Sequence, residues 1–206
     1  MSQLKLTADS GGGTVAIKGP ASTTGNAALE MTVPSAASGT LDSLNRAGNI
    51  LQVVSTTKTD VFSTTASAAS PAAVTGLSVT ITPSSTSNKI LLVAHIGVTS
   101  ATNNDYYSYF YFYRGGSVLT SAIGDTASAC RRVAFATRSS DNARGESTSG
   151  QYLDSPSSTS ALTYQIYCSV QSSGGSAVVN RDGNGSQDSD ARPRGISTLT
   201  AMEVAA

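Results

Sequence analysis

The chain has 206 residues, a formal net charge of zero and only 13% charged residues, about half of the usual fraction. So few charges without a net sign exclude electrostatic capture of nucleic acid or of an acidic membrane as its main activity. Ser and Thr together exceed a quarter of the residues and Trp is absent, which favours many short strands joined by turns.

The first 33 residues contain three short segments in which apolar and polar residues alternate, separated by Gly and Pro turns. Each segment has two or three apolar side chains on one face. At about 1.5–3 kcal/mol per buried side chain, they cannot offset the ordering of so long a region. We therefore expect this region to attach to a particle or to intertwine with sister chains through its apolar residues, which are Leu4, Leu6, Val15, Ile17, Leu29, Met31 and Val33.

A change in composition divides the chain into two predicted regions. Residues 34–48 are rich in Ser, Ala and Gly, which is typical of a linker. From residue 49 onward the pattern is all-β. The sequence thus predicts an attachment or intertwining segment with its linker over residues 1–48, and a C-terminal head over residues 49–206.

The head contains short segments with strand-like patterns, bounded by turn-forming residues. Because 89–98 is apolar on both faces, we expect a central strand there. The number and spacing of the segments predict a jelly-roll-like antiparallel β-sandwich, and the missing Cys-Trp-Cys pattern disfavours an immunoglobulin-like topology. The predicted strands are 50–55, 57–62, 77–82, 89–98, 106–113, 117–123, 130–137, 148–153, 161–170, 177–180 and 196–204.

Residues 106–113 hold more than half of the aromatic residues of the chain. Successive side chains of a strand point to opposite faces. We expect Phe110 and Phe112 to face the core, together with Tyr106 and Ser108. The opposite face is then a row of four tyrosines, and exposed aromatic rows usually mark an interaction surface. We predict that this row packs against other copies of the chain; the alternative is that it lies under a loop of its own subunit. The four residues are Tyr107, Tyr109, Tyr111 and Tyr113.

No set of residues in the sequence has the pattern of a catalytic, cofactor or metal site. The carboxylates are few and scattered, and no nucleophile elbow or phosphate-binding loop occurs. His95 is the only histidine, and in an apolar strand we expect a hydrogen-bonded structural residue. Cys130 and Cys168 lie on separate predicted strands and are expected to be buried free thiols. We therefore expect a protein without enzymatic activity, cofactor or metal.

One stretch, residues 182–190, has oxygen-bearing side chains at every second position. That spacing resembles a calcium-binding loop. The EF-hand pattern fails, however, because Gln187 stands where Gly is needed and Pro193 where a bidentate Glu is needed. A plain polar surface loop is the favoured interpretation.

Several stretches spread over most of the chain carry structural motifs. They are Gly-Thr-Val-Ala-Ile-Lys-Gly-Pro-Ala-Ser at 13–22, Leu-Gln-Val-Val-Ser-Thr-Thr-Lys-Thr-Asp at 51–60, Leu-Ser-Val-Thr-Ile-Thr-Pro-Ser-Ser-Thr at 77–86 with Lys-Ile-Leu at 89–91, Leu-Asp-Ser-Pro at 153–156 with Ser-Ala-Leu-Thr-Tyr at 160–164, and Met-Glu-Val-Ala-Ala at 202–206. Together they resemble tail-fibre-type structural proteins of bacteriophages, especially aquatic ones. The resemblance implies a virion component, commonly a homotrimer, with an N-terminal attachment segment and a β-rich head; it carries over no catalytic or receptor residue.

The leading functional hypothesis is a short homotrimeric tail fibre, made in the host cytoplasm and bound to other phage tail or capsid proteins. Its distal loops would contact the host surface, including glycans, with 103–107 and 182–190 as candidates. The alternative is a capsid decoration or cement protein without a receptor role. A glycan depolymerase is disfavoured because no acid pair stands out. No signal peptide is evident, and no apolar run is long enough to span a bilayer.

Overall fold

The computed structural model describes residues 3–7, 14–18, 46–126, 128–184 and 192–206. The chain divides into two compact units, Met1–Leu41 and Asp42–Ala206. The predicted N-terminal segment that contains Leu29, Met31 and Val33 lies outside the described residues. Residues 34–45 of the predicted linker also lie outside them.

In the first unit, β1 (Gln3–Thr7) and β2 (Thr14–Lys18) form an antiparallel two-stranded ribbon. The first two predicted N-terminal segments are therefore confirmed as strands. The register pairs position 4 with 17 and position 6 with 15, so the four predicted apolar positions share one face of the ribbon. Because an isolated two-stranded ribbon is at best marginally stable in water, the expectation that this segment needs a partner stays in place.

The second unit is an antiparallel β-sandwich, so the predicted all-β, jelly-roll-like head is confirmed. One sheet has the order β3-β13-β6-β12-β4, with β10 on the other edge of β6; the second has the order β5-β11-β7-β8, with β9 also on β7. The strands are β3 (Ile50–Lys58), β4 (Phe62–Thr64), β5 (Ala72–Ile81), β6 (Lys89–Ala101), β7 (Tyr107–Arg114), β8 (Ser117–Val118), β9 (Phe135–Arg138), β10 (Glu146–Asp154), β11 (Leu162–Val170), β12 (Ala177–Val179) and β13 (Ser197–Val204).

The core fills the space between the sheets with alternate residues of their long strands. This follows from the period of two, since one face of each strand is apolar and packs inward. As predicted, β6 is central in its sheet, and Phe110 and Phe112 of β7 are buried. The remaining large core side chains are Leu77, Val79 and Ile81 of β5, Ile90, Leu92 and Ile96 of β6, Tyr164, Ile166, Cys168 and Val170 of β11, and Leu199 of β13.

A buried polar network connects the two sheets. Asp154 at the end of β10 is buried, and its Oδ2 lies 2.5 Å from Nη1 of Arg114 on β7. The same oxygen accepts a 2.7 Å hydrogen bond from the hydroxyl of Tyr164 on β11. Burial, reinforced by the hydrogen bond and charge of Asp154, raises the pKa of Tyr164 far above its usual value. The Tyr164 proton therefore stays in place, and the carboxylate has two donors.

Two predicted strands were too long, and one observed strand was predicted as two. The segment 117–123 is a strand only at Ser117–Val118 and continues into a 3₁₀ turn at Thr120–Ala122. The segment 130–137 is a strand only from Phe135, so Cys130 lies in an exposed loop; the prediction that it is buried was wrong, whereas Cys168 is a buried free thiol. The predicted strand 50–55 and the start of the predicted strand 57–62 form a single strand, β3, which ends at Lys58, and Phe62 begins the next strand, β4.

The close approach of β6 to the start of β13 requires glycine at position 97. A Cβ there would lie 2.2 Å from the backbone oxygen of Ile196, and backbone has little freedom to move away. We expect Gly97→Ala to lower the free energy of unfolding by about 2 kcal/mol, measured by urea denaturation. Gly124→Ala is the control, since nothing lies within 4 Å of a Cβ there; equal losses in the two variants would contradict the close approach.

Candidate functional site

The sandwich has two ends, which we call proximal and distal. At the proximal end the chain enters the head, and Gly48 N–H donates to the Ala205 carbonyl over 2.8 Å. The pairing of Val204 with Lys89 and of Ile90 with Asp154 places the 82–88 turn and the 155–161 loop at the same end. The distal end lies one strand length away, about 40 Å for the 13 residues of β6.

The proximal end is held together by the carboxylate of Glu203 on β13, which is 1% exposed. Its Oε1 accepts hydrogen bonds from the backbone and hydroxyl of Ser84, both 2.7 Å, and from Asn88 Nδ2 at 2.6 Å. Its Oε2 accepts one from Gln52 Nε2 at 2.7 Å. Burial alone would raise the pKa of Glu203, but these hydrogen bonds outweigh it and hold the pKa at about 2. No local pattern indicated this network, because Gln52 and Ser84 are 151 and 119 residues away from Glu203 in the chain.

Glu203 should make the stability of the head fall in acid. Because its folded pKa of about 2 lies below the ordinary value of 4.5, its contribution is complete above pH 4.5 and is lost as the pH falls towards 2. We expect the destabilisation caused by Glu203→Gln, measured by urea denaturation, to shrink by about 3 kcal/mol between pH 6 and pH 2. A destabilisation that does not change with pH would show that the carboxylate is not specially stabilised.

The distal end is a cluster of loops joined by hydrogen bonds. The backbone of Asp105 donates to the Ser139 carbonyl at 3.0 Å, and that of Asn142 donates to Asn104 Oδ1 at 2.9 Å. Thr102 N–H donates to the Ser176 carbonyl at 2.9 Å. The predicted candidate loop 103–107 is thus fixed against the loops 139–142 and 174–176. The sequence predicted turns at 139–144 and 172–175 but did not indicate that they lie beside 103–107, because polar turns carry no pairing signal.

Exposed polar groups project from this cluster. Asn104, Asp105, Arg138 and Arg144 are exposed, and the Arg138 guanidinium lies 3.1 Å from the Asp105 carboxylate. The same guanidinium lies 5.6 Å above the ring centroid of Tyr107, the first residue of the predicted tyrosine row. Amide, carboxylate and guanidinium groups beside an aromatic ring provide both hydrogen bonds and an apolar face to a polar ligand.

Most of the predicted calcium-like loop lies outside the described residues, since 185–191 are not described. Asp182, its first residue, is buried, and its Oδ2 pairs with Arg192 Nη1 at 2.8 Å. Within the described ranges, no group of three or more potential metal-ligating side chains converges. The same part of the chain contains no helix long and apolar enough to cross a membrane.

The tyrosine row lies on the outer face of the second sheet, opposite Phe110 and Phe112. Its members differ in exposure. Tyr107 is 38% exposed and Tyr113 is half-buried, whereas Tyr109 is only 9% exposed and Tyr111 only 4% exposed. Burial raises the pKa of Tyr111, whose hydroxyl lies 3.3 Å from Ser169 Oγ. Part of the row is therefore covered within a single chain. The contact of this row with other copies stays a prediction, and it depends on Tyr107 and Tyr113.

Ring stacking fixes the two accessible tyrosines. Tyr113 stacks on Tyr167 of β11 with ring centroids 3.6 Å apart, and Tyr107 stacks on Tyr109 at 5.8 Å. Such ordered rings lose little conformational entropy when a partner covers them.

His95 lies on the outer face of the first sheet, where Ser149 and Thr198 are its cross-strand neighbours. Its side chain is exposed, and no described residue is its hydrogen-bond partner. The expectation of a hydrogen-bonded structural histidine was wrong because this face of β6 is open.

Comparison with known proteins gave structural matches only. No family model matches the chain, and no curated protein matches it. Among solved structures, T=1 particles derived from infectious bursal virus match with a TM-score of 0.40 and 14% identity, over 94% of this chain and 45% of the other. The Gx strain of infectious bursal disease virus matches with a TM-score of 0.37 and 14% identity, over 94% of this chain and 43% of the other. The VP2 subviral particle of that virus matches with a TM-score of 0.36 and 12% identity, over 93% of this chain and 47% of the other.

The chain spans less than half of the length of these solved structures. At such low TM-scores and identities the alignments establish neither a shared fold nor a shared function.

The stretches that resemble phage fibre proteins coincide with the two buried polar networks. Gln52, Ser84 and Glu203 belong to the stretches 51–60, 77–86 and 202–206, and they meet at the proximal end. Asp154 and Tyr164 belong to 153–156 and 160–164, and they meet between the sheets. The resemblance therefore covers residues that hold the sandwich together, and the distal loops lie outside it.

Proposed function

We propose that the chain is a non-enzymatic structural protein of a bacteriophage virion, and more specifically a short homotrimeric tail fibre. Its N-terminal segment docks on the particle, and its head contacts the host surface. The observation that carries the proposal is that the two ends of the head differ. The chain enters at the proximal end, and the polar loop cluster lies about 40 Å away at the distal end.

The motif stretches support this proposal because their key residues build the head. A fibre needs a rigid head on a tethered attachment segment, and the two buried networks supply rigidity at the proximal end and between the sheets. The two-stranded β1–β2 ribbon, at best marginally stable by itself, needs a partner, either the particle or sister chains. The homotrimer itself rests on the resemblance.

The host-contact role is tested by binding of labelled full-length protein to host cells. Asn104→Ala combined with Arg144→Ala removes two exposed distal groups, and we expect binding to weaken at least about tenfold. Thr86→Ala, an exposed change at the proximal end, should leave binding unchanged. Soluble host polysaccharide should compete if the ligand is a glycan.

The second candidate function is a capsid decoration protein without a receptor role. The open, weakly charged face of the first sheet favours it, because such a face suits contact with other virion proteins. Binding to purified capsids, without binding to host cells, supports this candidate over the fibre.

A further inference from the structure

Exposed apolar side chains of the described head concentrate on one surface, the outer face of the sheet that contains β6. Val53 is 56% exposed, Ile196 51%, Ile50 47% and Leu153 44%. The only other large apolar side chain exposed to this degree among the described residues is Tyr107, on the opposite sheet. A monomeric head has no need to gather its exposed aliphatic residues on one flat face.

The strand register joins these residues into a continuous row. Leu153 of β10 pairs with Leu91 of β6, Leu91 pairs with Met202 of β13, and Met202 pairs with Val53 of β3. Each step joins direct cross-strand neighbours, whose Cβ atoms lie about 5 Å apart. The apolar row therefore crosses four adjacent strands without a polar interruption.

The rows on either side leave this face almost without charge. The row that follows contains Val93, Thr200, Ser55 and Gln151, and the row that precedes contains Ile50, Val204 and Lys89. In the cross-strand rows from that of Lys89 to that of His95, no outward-facing residue of the four strands is a carboxylate. Such a face offers no charge complementarity to an acidic or basic partner, and it does not repel a copy of itself.

We propose that this face binds the same face of a second copy of the chain. The twofold axis lies between the two faces, parallel to the strands and midway between β6 and β13. Val53 then lies opposite Leu153 of the second copy, and Met202 lies opposite Leu91 of the second copy, so that the apolar row meets itself. Lys89 lies opposite Val204 of the second copy and not opposite another Lys89. Aligned sheets about 10 Å apart are a common packing of twisted sheets.

The size of the face sets the strength of the contact. Four strands about 4.8 Å apart and seven residues of about 3.3 Å give about 440 Å² for each copy, hence about 900 Å² for the pair. Specific interfaces start at about 1,000 Å², so the contact is weak, with a dissociation constant in the range of tens of micromolar. A twofold contact is isologous and does not close a trimer. Where the chain is a trimer, each trimer carries three such faces, and the contact joins it to other trimers.

Sedimentation velocity of the full-length protein from about 1 to about 200 µM tests the proposal. The sedimenting mass should nearly double over this range if the starting species is a monomer, and should at least double if it is a trimer, which carries three such faces. Val53→Lys combined with Leu153→Lys should abolish the doubling without changing the urea midpoint, because both side chains are about half exposed. Thr163→Lys, an exposed change on the other sheet, should leave the doubling in place. A mass that stays constant, or a doubling that survives the double lysine variant, would overturn the proposal.

A crosslink tests the register. In a Cys130→Ser background, Val53→Cys combined with Leu153→Cys should give a covalent dimer with a short bis-maleimide crosslinker, which spans the gap between sheets about 10 Å apart. Within one chain the two positions are three strands apart, about 14 Å, which is beyond the reach of a short crosslinker. Failure to crosslink at about 200 µM would contradict the proposed axis.

Discussion

Arg114→Met is expected to lower the free energy of unfolding by about 3 kcal/mol, measured by urea denaturation at pH 7. Asp154 is buried, and Arg114 supplies the positive charge beside its Oδ2. Without that charge, the carboxylate retains the hydrogen bond from the Tyr164 hydroxyl, which does not neutralise it. An uncompensated charge between the two sheets is costly because the surroundings cannot solvate it.

Arg138→Met is the matched control for this prediction. Arg138 also pairs with an aspartate, Asp105, but both side chains are at least half exposed. An exposed ion pair contributes at most about 1 kcal/mol. A loss for Arg114→Met no larger than that for Arg138→Met would mean that the network between the sheets does not stabilise the head.

Tyr111→Asp is expected to destabilise the head by about 3 kcal/mol or more, whereas Tyr107→Asp should cost at most about 1 kcal/mol. The reason is exposure, 4% for Tyr111 against 38% for Tyr107. The first change buries a carboxylate and removes a packed ring; the second places a carboxylate at a site that water already reaches, near Arg138. Thermal or urea unfolding of the two variants measures the difference.

The same pair of variants separates folding from association. If the tyrosine row joins copies into a trimer, Tyr107→Asp should lower the mass of the full-length protein in solution while its subunits stay folded. Tyr111→Asp does not give this information, because loss of mass there can follow from unfolding. An unchanged mass for the folded Tyr107→Asp variant would remove Tyr107 from the interface.

The alternation of side chains predicted the inward faces of the long strands well. In 77–82 and 161–170 every second residue is apolar, and these apolar residues are buried except Leu162, which is partly buried. The failures at 117–123 and 130–137 have a common cause. Both segments compete for the same edge of β7, which pairs with β8 at Tyr113–Arg114 and with β9 at Tyr107–Phe110. The intervening chain has no free edge to pair with, and a single sequence does not reveal this competition.

The sequence did not reveal which outer faces are covered. Leu91 and Val93 made 89–98 apolar on both faces, and β6 is indeed central, but its outer face is open. Conversely, Tyr109 and Tyr111 were predicted on an outer face and lie there, yet their own chain covers them. Strand periodicity assigns a residue to a face; the coverage of that face depends on distant parts of the chain and on other copies.

The polar networks were also beyond sequence reasoning. Glu203 and Gln52 are 151 residues apart, and Arg114 and Asp154 are 40 apart. The carboxylates are scattered along the sequence, and nothing local indicated that Asp154 and Glu203 are buried and hold the sandwich together. Their positions within the fibre-like stretches explain what those stretches do physically.

The most direct test of the virion assignment is to locate the chain on purified, imaged phage particles. We expect density for the sandwich at the tail, with the 46–49 end of the head towards the particle and the 102–106 loop pointing away from it. Density on the capsid lattice would select the decoration protein. Absence of the chain from purified particles would contradict a virion role altogether, and a head with its distal loops buried against the particle would contradict host contact.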